Sequence, residues 1–573
     1  MPGQPKPTFY VVLGVVVIAL IAVAVWRSDI IAPHAPEKPP VPVIEPGKFG
    51  AEAPDAKGIT TVEKYVFVPE VTLPPVKGVS AYKALSGNTV RFAINVWAGW
   101  GPIILANDGF KPGQVWKAPD GEDFKVELVL IDNPVQMRDA YAAGNVHIGW
   151  ATLDMIPLFM PEFIKDSRVM PRVYQQIDWS NGGDGIVVRD YVKEARDLRG
   201  KKLVLAGNSP SHYFALNMLV AASVQPSEVQ WLFTEDAFQA AAAFNAQKEI
   251  AGAVSWAPDI YKLERVSGNR MLVTTAQANK LIADVWFARA DFSRDHPGMI
   301  EGLVRGIFDA MVELKKEDQR QRLAKLMAQG YNIPATDALN MLGDAHNTNW
   351  AENDQFFLNK NNPTNFEAVW NRAYYLYTTI GSIPRQHEKV PFDKVMDFTV
   401  IQKLGKEPKY ANQVDEYRTP LPQKGVAEIR GAEKPILTNT VIIHFYPDSA
   451  NLYEKVTKEI DGKKVEQLYD PNVDFVLEEI GKLAGQFGAA YVIIEGHTDS
   501  SMRDQVPPSI VKELSLRRAN AVKEALLAKY PQLDANRFAV EGKGWDEPAN
   551  PSDPNNHAKN RRVEVRVFTA EKK

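Results

Sequence analysis

YVIIEGHTDSSMRDQVPPSIVKELSLRRANAV, residues 491–522, joins a strand-like run, a turn and a helix-like run. The apolar run YVIIEGH predicts a buried strand, and Asp499 follows its end, where a carboxylate can accept from an ammonium group. At about 100° per residue, Arg518 shares the apolar face of the helix with Leu514, and Arg517 lies off that face. The pattern predicts that Arg517 points to solvent and that Arg518 points inward.

An inward guanidinium needs an anion, because burying an unpaired charge is costly. Two partners are open for Arg518: a carboxylate of the same chain, or a ligand carboxylate held by two parallel hydrogen bonds. A carboxylate receptor beside an ammonium receptor, here Arg518 beside Asp499, fits the α-carbon of an amino acid.

Four segments, YVIIEGHTD, LSLRRANAV, EGKGWDEP and NRRVEVRV, resemble in order the OmpA-like peptidoglycan-binding domain. HFYPDSANL, residues 444–452, resembles the opening strand and turn of that family. The resemblance implies a small α/β domain over residues 436–573 that binds the diaminopimelate terminus of the peptidoglycan stem. The residues it implies are Asp499 for the ammonium, Arg518 for the carboxylate, Leu514 and Thr498 as pocket walls, and Asp448 beside them.

Other positions in this region fit the resemblance less directly. Asn560 and Arg562 fall in its closing motif, where a structural role and a ligand contact are both open, and His497 fits packing. The loop 500–513 is longer than usual, and Val511 stands where the family has Asn. Residues 453–470 resemble an insertion. None of these departures removes the Asp–Arg pair.

Composition limits the classes of protein that the rest of the chain can belong to. A length of 573 residues predicts about three to four domains. A net charge of −4 gives no reason to expect nucleic-acid binding. The absence of cysteine excludes disulfides, thiolate zinc sites and a lipid-modified cysteine anchor.

The N-terminus contains 18 uncharged residues, 9–26, about the minimum for crossing a bilayer core. We expect an uncleaved anchor over residues 1–30, in the inner membrane and with the bulk of the chain in the periplasm. A cleaved signal peptide is the alternative, because Ala22 and Ala24 form an A-x-A pattern. Residues 31–87 are Pro-rich and predict a linker, either extended polyproline II or disordered.

Strand-like and helix-like runs alternate through residues 88–383, as VRFAINVW, FKVELVLI, HIGWAT, GIVVR, KKLVLAG and AGAVSWAP show. This alternation predicts parallel sheets with crossover helices. Residues 384–435 have no clear period and predict a connector. The predicted fold class is therefore multidomain α/β with an N-terminal transmembrane helix.

Four segments of this body, VWAGWGP, DWSNGGDGIVV, GNSPSHYFAL and AVSWAPDI, place small, hydroxyl and aromatic residues after predicted strands. In open α/β sheets, ligands bind at the carboxyl ends of strands. SPSH offers backbone donors to an anion, or is an ordinary helix N-cap. The tryptophans can be ligand walls or core, and His212 fits capping or packing better than acid–base catalysis.

With YAAGNVHIGWAT and DLRGKKLVLAGNSPSHYF, these segments resemble the substrate-binding proteins of nitrate, sulfonate and taurine ABC importers, a periplasmic-binding-protein family. The resemblance implies two lobes that close on a small solute. By position it places in the cleft Trp97, Ala98, Gly99, Trp100, Asp154, Asn181, Ser209, Ser211, His212, Trp256 and Asp284. Four acids near the cleft disfavour a plain anion: Asp154, Asp178, Asp184 and Asp284. They suit an amine, a zwitterion or, if they are surface groups, no ligand. A second folded domain departs from the family.

The common catalytic and nucleotide-binding motifs are absent, and the nine histidines show no metal-ligand spacing. We therefore expect a binding protein without cofactor or metal, not an enzyme. One hypothesis is a wall-tethered solute receptor that signals or delivers to a membrane protein partner. The other is an envelope scaffold whose body docks proteins and binds no solute.

Overall fold

A computed structural model describes residues 59–60, 62–68, 72–418, 420–446, 448–460 and 463–570. The predicted membrane anchor, residues 1–30, and most of the linker 31–87 lie outside these ranges. Within the described part, no helix is both long enough and apolar enough to cross a membrane.

The strands of the body are β1 Phe67–Val68, β2 Thr89–Ile94, β3 Val115–Lys117, β4 Asp123–Leu130, β5 Ile148–Thr152, β6 Pro171–Ser180, β7 Asp184–Arg189, β8 Lys202–Ala206, β9 Gln230–Thr234, β10 Ile250–Trp256, β11 Asn269–Thr274, β12 Ala283–Arg289 and β13 Ala345–Asn347. The later strands are β14 Pro435–Val441, β15 Lys455–Ile460, β16 Lys463–Leu468, β17 Tyr491–His497, β18 Phe538–Gly544 and β19 Val563–Phe568.

The α-helices of the body are Gly101–Ala106, Pro134–Ala142, Ile156–Phe163, Pro210–Ala221, Ala237–Ala246, Asp259–Glu264, Ala290–Asp295, Pro297–Glu313, Glu317–Tyr331, Ala335–Met341, Trp350–Phe357 and Phe366–Ile380. Beyond them lie Thr399–Leu404, Pro408–Ala411, Val426–Ala432, Val473–Gln486, Pro508–Lys529 and His557–Asn560. The predicted connector 384–435 thus contains three short helices.

Two sheets form the body, one in each lobe. The first has the order β13-β6-β12-β5-β2-β4-β3, and the second has the order β1-β9-β8-β10-β7-β11. The chain leaves the first sheet between β6 and β7 and returns between β11 and β12. Two segments, residues 181–183 and 275–282, therefore connect the lobes, and the strand ends beside them meet at the interlobe boundary.

The prediction of parallel sheets was correct only in part. β2 runs parallel to β4 and β5, and β8 runs parallel to β9 and β10. β12 is antiparallel to both β5 and β6, and β7 is antiparallel to β10 and β11. Crossing between lobes reverses the chain direction, which local alternation of strand and helix does not reveal. β1, inside the predicted linker, pairs with β9.

The C-terminal domain has a four-stranded sheet of order β14-β19-β17-β18, with β15 and β16 as a separate hairpin. Val492, Ile494, Val565 and Val567 are fully buried in its core, as alternation along β17 and β19 requires. The hairpin occupies the stretch predicted as an insertion, 453–470. Helix Pro508–Lys529 begins at a proline within the predicted loop 500–513, because proline is favoured in a first turn.

The body and the C-terminal domain are in direct contact. Thr438 donates to Glu194 over 2.8 Å, and the side chain of Asn439 donates to the carbonyl of Ala221 over 2.7 Å. The amide of Lys280, in the second interlobe segment, donates to the carbonyl of Gln486 over 3.1 Å. An interlobe segment is therefore hydrogen-bonded to the C-terminal domain.

Candidate functional site

The predicted orientation of the twin arginines is confirmed. Arg518 is buried in helix Pro508–Lys529, and Arg517 is exposed. Leu514, one turn before Arg518, is half-buried. The helical period alone separated the two side chains, because adjacent residues differ by about 100° around the axis.

The Arg518 guanidinium is fixed by the chain but is not paired with a carboxylate of any residue that the structure describes. Its Nε donates to the carbonyl of Ser449 over 3.0 Å, and its Nη2 donates to the carbonyl of Tyr446 over 3.4 Å. Its Cζ lies 4.9 Å from the ring centroid of Phe445. Burial lowers the pKa of Arg518, and the negative charges of Asp448 and Asp499 act in the opposite direction. Among the described residues, Arg518 forms no ion pair within 4.0 Å, so an internal salt bridge is not what holds it.

Asp499 lies in the same region and already has partners. Its Oδ1 accepts from the amide of Ser501 over 2.8 Å, and its Oδ2 lies 3.1 Å from Nη1 of Arg561. His557 lies 3.6 Å away. Burial acts to raise the pKa of Asp499, but Ser501, Arg561 and His557 hold that pKa below its usual value. Sequence reasoning missed Arg561 and His557; Arg561 lies between two residues that the resemblance had selected.

A cavity of about 100 Å³ is lined by Thr498 and Ser500, the chain neighbours of Asp499, but by neither Asp499 nor Arg518. Thr498 lines it, and the buried Thr498 hydroxyl has no hydrogen-bond partner in the described part of the chain. Asn560 also lines it, but its amide is used by the chain: Oδ1 accepts from Ala549 and Nδ2 donates to Pro554. Asp448 is exposed.

Arg562 and His497 belong to a buried network of charges. Arg562 donates to Glu564 over 2.8 Å and to the carbonyl of Glu547 over 3.1 Å. His497 is buried and lies 3.8 Å from Glu495. These contacts give Arg562 a structural role and are consistent with the prediction that His497 packs.

In the body, the interlobe boundary brings Trp97, Gly99 and two acids together. The indole Nε1 of Trp97 donates to Asp178 over 3.2 Å. A β-carbon on Gly99 would lie only 1.6 Å from Asp178 Oδ2, so only glycine permits this approach. Asp178 on β6 is the register partner of Asp284 on β12, and the two carboxyl groups are close enough to share a hydrogen bond.

Asp154 is placed one turn beyond β5, in contact with a helix of the body. Its Oδ2 accepts from the hydroxyl of Tyr377 over 3.3 Å, and its buried Oδ1 has no partner among the described residues. The ring of Tyr377 lies 6.0 Å from that of His212, which connects Asp154 to the second lobe. Burial lowers the pKa of His212 to about 3, and its Nδ1 accepts from the amide of Asn208. His212 is thus a neutral capping and packing group.

Tyr417 of the predicted connector covers the predicted cleft. Its hydroxyl donates to Oδ1 of Asn181 over 3.0 Å, and its ring stacks on His346 at 3.9 Å. Lys280 lies over the other side of the ring, with its Nζ 5.9 Å from the centroid. Asn181 is thereby occupied by the chain itself. No local pattern predicts this contact of Tyr417, because it spans 236 residues.

Some predicted cleft residues take other positions. Trp100 is fully buried in the core of the first lobe, where its indole donates to Asn95 over 2.7 Å, and Ala98 is buried before it. The indole of Trp100 lies against Phe92 and Asn95, which agrees with the core alternative, and its role as a cleft wall stays a prediction.

Hydroxyl groups at the start of helix Pro210–Ala221 differ in their use. Ser209 occupies the N-cap, yet its hydroxyl donates back to the carbonyl of Ala206 and does not cap the helix. The Ser211 hydroxyl is buried and has no partner within the described ranges. The indole nitrogen of Trp256 likewise lacks a partner there, and Trp256 is the register partner of Asp184 at the boundary.

Four acids therefore meet at the interlobe boundary: Asp154, Asp178, Asp184 and Asp284. Burial raises the pKa of Asp154 to about 7 and that of Asp184 to about 6. Burial and the charges of the other acids raise the pKa of Asp284 well above its usual value, and burial raises that of Asp178. Sequence reasoning placed all four acids in or near the cleft, but it did not foresee the contact between Asp284 and Asp178.

Comparisons with known proteins agree with the division of the chain. Residues 445–562 match the OmpA family. The chain is 26% identical over 212 residues to the taurine-binding periplasmic protein of Escherichia coli (strain K12), a match that covers 35% of this chain and 63% of that protein. It is 32% identical over 117 residues to the outer membrane protein Omp38 of Acinetobacter baumannii (strain ATCC 17978), covering 20% of this chain and 30% of that protein.

The solved periplasmic aliphatic sulphonate binding protein SsuA from Escherichia coli is 18% identical, with a TM-score of 0.41, covering 54% of this chain and 97% of that one. The chain spans less than two thirds of the length of either curated relative. The protein therefore joins a body similar in sequence to a periplasmic taurine-binding protein to a C-terminal domain of the OmpA family.

Proposed function

We propose that this protein is an envelope protein of a diderm bacterium that holds peptidoglycan with its C-terminal domain and binds a small solute in its body. We infer an inner-membrane anchor from the 18 uncharged residues 9–26, with both folded parts in the periplasm. No catalytic role is proposed. The observation that carries the proposal is Arg518, a buried cation with no carboxylate partner among the described residues.

The hydrogen-bond geometry of Arg518 supports binding of a ligand carboxylate. The main chain holds Nε and Nη2, which orients the guanidinium, and no hydrogen bond of Nη1 is present within the described residues. Asp499 is close enough for its charge to act on Arg518. The amino acid terminus of a diaminopimelate stem offers the complementary carboxylate and ammonium. Its ammonium would replace Arg561, an exposed partner that can turn to solvent.

The test is sedimentation of the full chain with purified sacculi. Arg518→Ala and Asp499→Ala should each weaken binding by about 2 to 4 kcal/mol, because each leaves a ligand charge unpaired. Arg517→Ala is the matched control and should sediment like the wild type. Sacculi with lysine in place of diaminopimelate lack the carboxylate and should bind the wild type weakly. Equal binding of both kinds of sacculi would contradict the proposed contact.

Solute binding by the body is supported by the grouping of Trp97, Gly99, Asp154 and Asp284 at the boundary of two lobes. Buried polar atoms without partners, on Asp154 and Ser211, are the kind of group that a ligand satisfies. A thermal-shift screen of the full chain against amines, zwitterions, sulfonates and oxyanions tests this part.

The scaffold alternative is favoured by one observation. Tyr417 lies against Asn181, which a ligand of this fold would otherwise reach. If Tyr417→Ala also binds no solute in the screen, the body acts as a docking platform. If Tyr417→Ala binds a solute that the wild type does not, Tyr417 instead obstructs a working cleft.

A further inference from the structure

We propose that the interlobe cleft binds an organic cation, an ammonium group flanked by aromatic rings, and not an anion such as a sulfonate or nitrate. This inference rests on the proposed solute-binding function and specifies its ligand class. It is carried by the arrangement of acids on the strand ends that meet between the lobes.

The acids lie near the boundary between the two sheets. On the first sheet, Asp178 of β6 pairs in register with Asp284 of β12, which pairs in turn with Thr152 of β5. Residues opposite one another on adjacent strands present side chains to the same face. On the second sheet, Asp184 pairs in register with Trp256. The charges of Asp154, Asp178 and Asp184 all act on Asp284, so the four carboxyl groups share one region.

No cation of the described chain compensates them. None of the four acids forms an ion pair within 4.0 Å in the described ranges, and their neighbours are hydroxyl, indole and carboxyl groups. Lys280, near the cleft mouth, is attracted to Asp415 and Glu352 instead. Buried carboxyl groups are normally paired, so an uncompensated set indicates a missing positive partner.

Unpartnered polar atoms independently indicate that a ligand belongs here. Asp154 is 1% exposed, and its Oδ1 has no hydrogen-bond partner among the described residues. The buried hydroxyl of Tyr213, which also lacks a partner there, is close enough for the Asp154 charge to raise the pKa of Tyr213, after burial as the main cause. A carboxylate oxygen and a nearby hydroxyl, both without partners among the described residues, can accept from an N–H donor.

An organic cation fits better than a metal ion. In the described part of the chain, only Glu495, His497 and Glu564 bring three potential ligand atoms within 4.8 Å of one another, and these lie in the C-terminal domain. The cleft acids are therefore too far apart to share a metal ion as three ligands. Aromatic rings border the acids instead, with Trp97 beside Asp178 and Trp256 beside Asp184, and such rings attract ammonium groups.

Titration calorimetry of the full chain at pH 8 and pH 6 tests the proposal. The probes are choline, putrescine, methanesulfonate, nitrate, taurine and calcium chloride. We expect choline or putrescine to bind, and methanesulfonate, nitrate and calcium not to bind. Choline carries a fixed charge, so any change of its affinity with pH must come from the protein. We expect its affinity to be at least tenfold higher at pH 8 than at pH 6, because the cleft carboxyl groups ionise over this range.

Asp284→Asn, which keeps the size of the side chain, should weaken binding of the ammonium probe at least tenfold. Asp190→Asn, in an exposed turn of the second lobe, is the matched control and should bind like the wild type. The choline pH profile of the wild type remains decisive if Asp284→Asn fails to fold.

The outcomes separate this inference from the function on which it rests. Binding of methanesulfonate, nitrate or taurine without binding of choline or putrescine would contradict the proposed cationic ligand but would still support solute binding. Binding of calcium alone would contradict the proposal that the ligand is an organic cation. Absence of binding by every probe would contradict solute binding itself.

Discussion

Buried carboxylates in the C-terminal domain and in the interlobe cleft have opposite surroundings. Glu495 is fully buried on β17, yet it contacts Arg430 and lies 2.8 Å from Arg566. Burial acts to raise the pKa of Glu495, but His497 and these arginines hold it below its usual value. Asp284 is nearly as buried, and its nearest charged groups are other acids, so its pKa is raised.

The difference separates structural charges from charges that await a partner. A buried acid paired with arginines is complete within the chain, and removal of one partner is destabilising because it leaves a buried charge uncompensated. A buried acid without a cation is unfavourable for folding, and its retention indicates a role in binding. Arg518 is the positive counterpart of Asp284: among the described residues it also forms no ion pair within 4.0 Å, although the charges of Asp448 and Asp499 act on it, and it lies at the other candidate site.

The largest effect should come from breaking a complete network. Arg566→Met removes one of the two arginines on Glu495 and should lower the free energy of unfolding by about 2 to 3 kcal/mol. Arg430 remains on Glu495, which keeps the loss from being larger. Urea unfolding measures it. Lys455→Met, which removes an exposed ion pair with Glu466, is the control and should change stability by less than about 0.5 kcal/mol. Equal losses in both variants would erase the distinction between the two regions.

A smaller effect should appear as opposite pH dependence of the two regions. The pKa of Asp154 is about 7 in the fold, above its usual value of 3.8, so the folded state holds the proton that the unfolded state releases. The stability of the cleft strands should therefore fall by about 1 to 2 kcal/mol as pH rises from 5 to 8.

The carboxyl groups of Asp499 and Glu564 have lowered pKa values and should lose their contribution only as pH falls below about 4 to 5. Hydrogen exchange of β6 and β12, compared with that of β17 and β19, measures both regions in one experiment. Parallel pH profiles would show that the cleft acids are not set apart by their surroundings.

Neutralising one cleft acid should have a modest effect of unusual sign. Asp284→Asn should raise the free energy of unfolding at pH 8 by about 1 kcal/mol, because folding no longer has to bury a carboxyl group whose charged form is disfavoured beside Asp178. Urea unfolding without ligand measures it. A loss of more than about 1 kcal/mol would mean that Asp284 is a structural group, as Glu495 is.

The smallest effect on stability should come from Arg517, the exposed member of the arginine pair. Arg517→Ala should change stability by less than about 0.5 kcal/mol, since the exposed side chain lies outside the packed face. Thermal unfolding measures the change. A Tm drop comparable to that of Arg518→Ala would show that the two side chains are not separated as their exposure indicates.

Local patterns predicted the elements well and their connections poorly. β5, β7, β8 and β10 fall on the strand-like runs of the sequence, because alternation and apolar runs report burial directly. Their mixed directions in the two sheets could not be predicted, since they depend on where the chain crosses between the lobes. For the same reason Asp284 could be assigned to the cleft by resemblance, but its contact with Asp178 could not.

The sequence by itself determined the inward position of Arg518 and the outward position of Arg517, because helical periodicity is a property of consecutive residues. It also determined that Asp499 follows a buried strand. Only the tertiary structure decided that Arg518 has no carboxylate partner among the described residues. It also decided that Arg561 forms an ion pair with Asp499 and that Tyr417 donates a hydrogen bond to Asn181. The physical reason is that the partner of a charge depends on which distant segments are packed beside it, and period and composition carry no information about that packing.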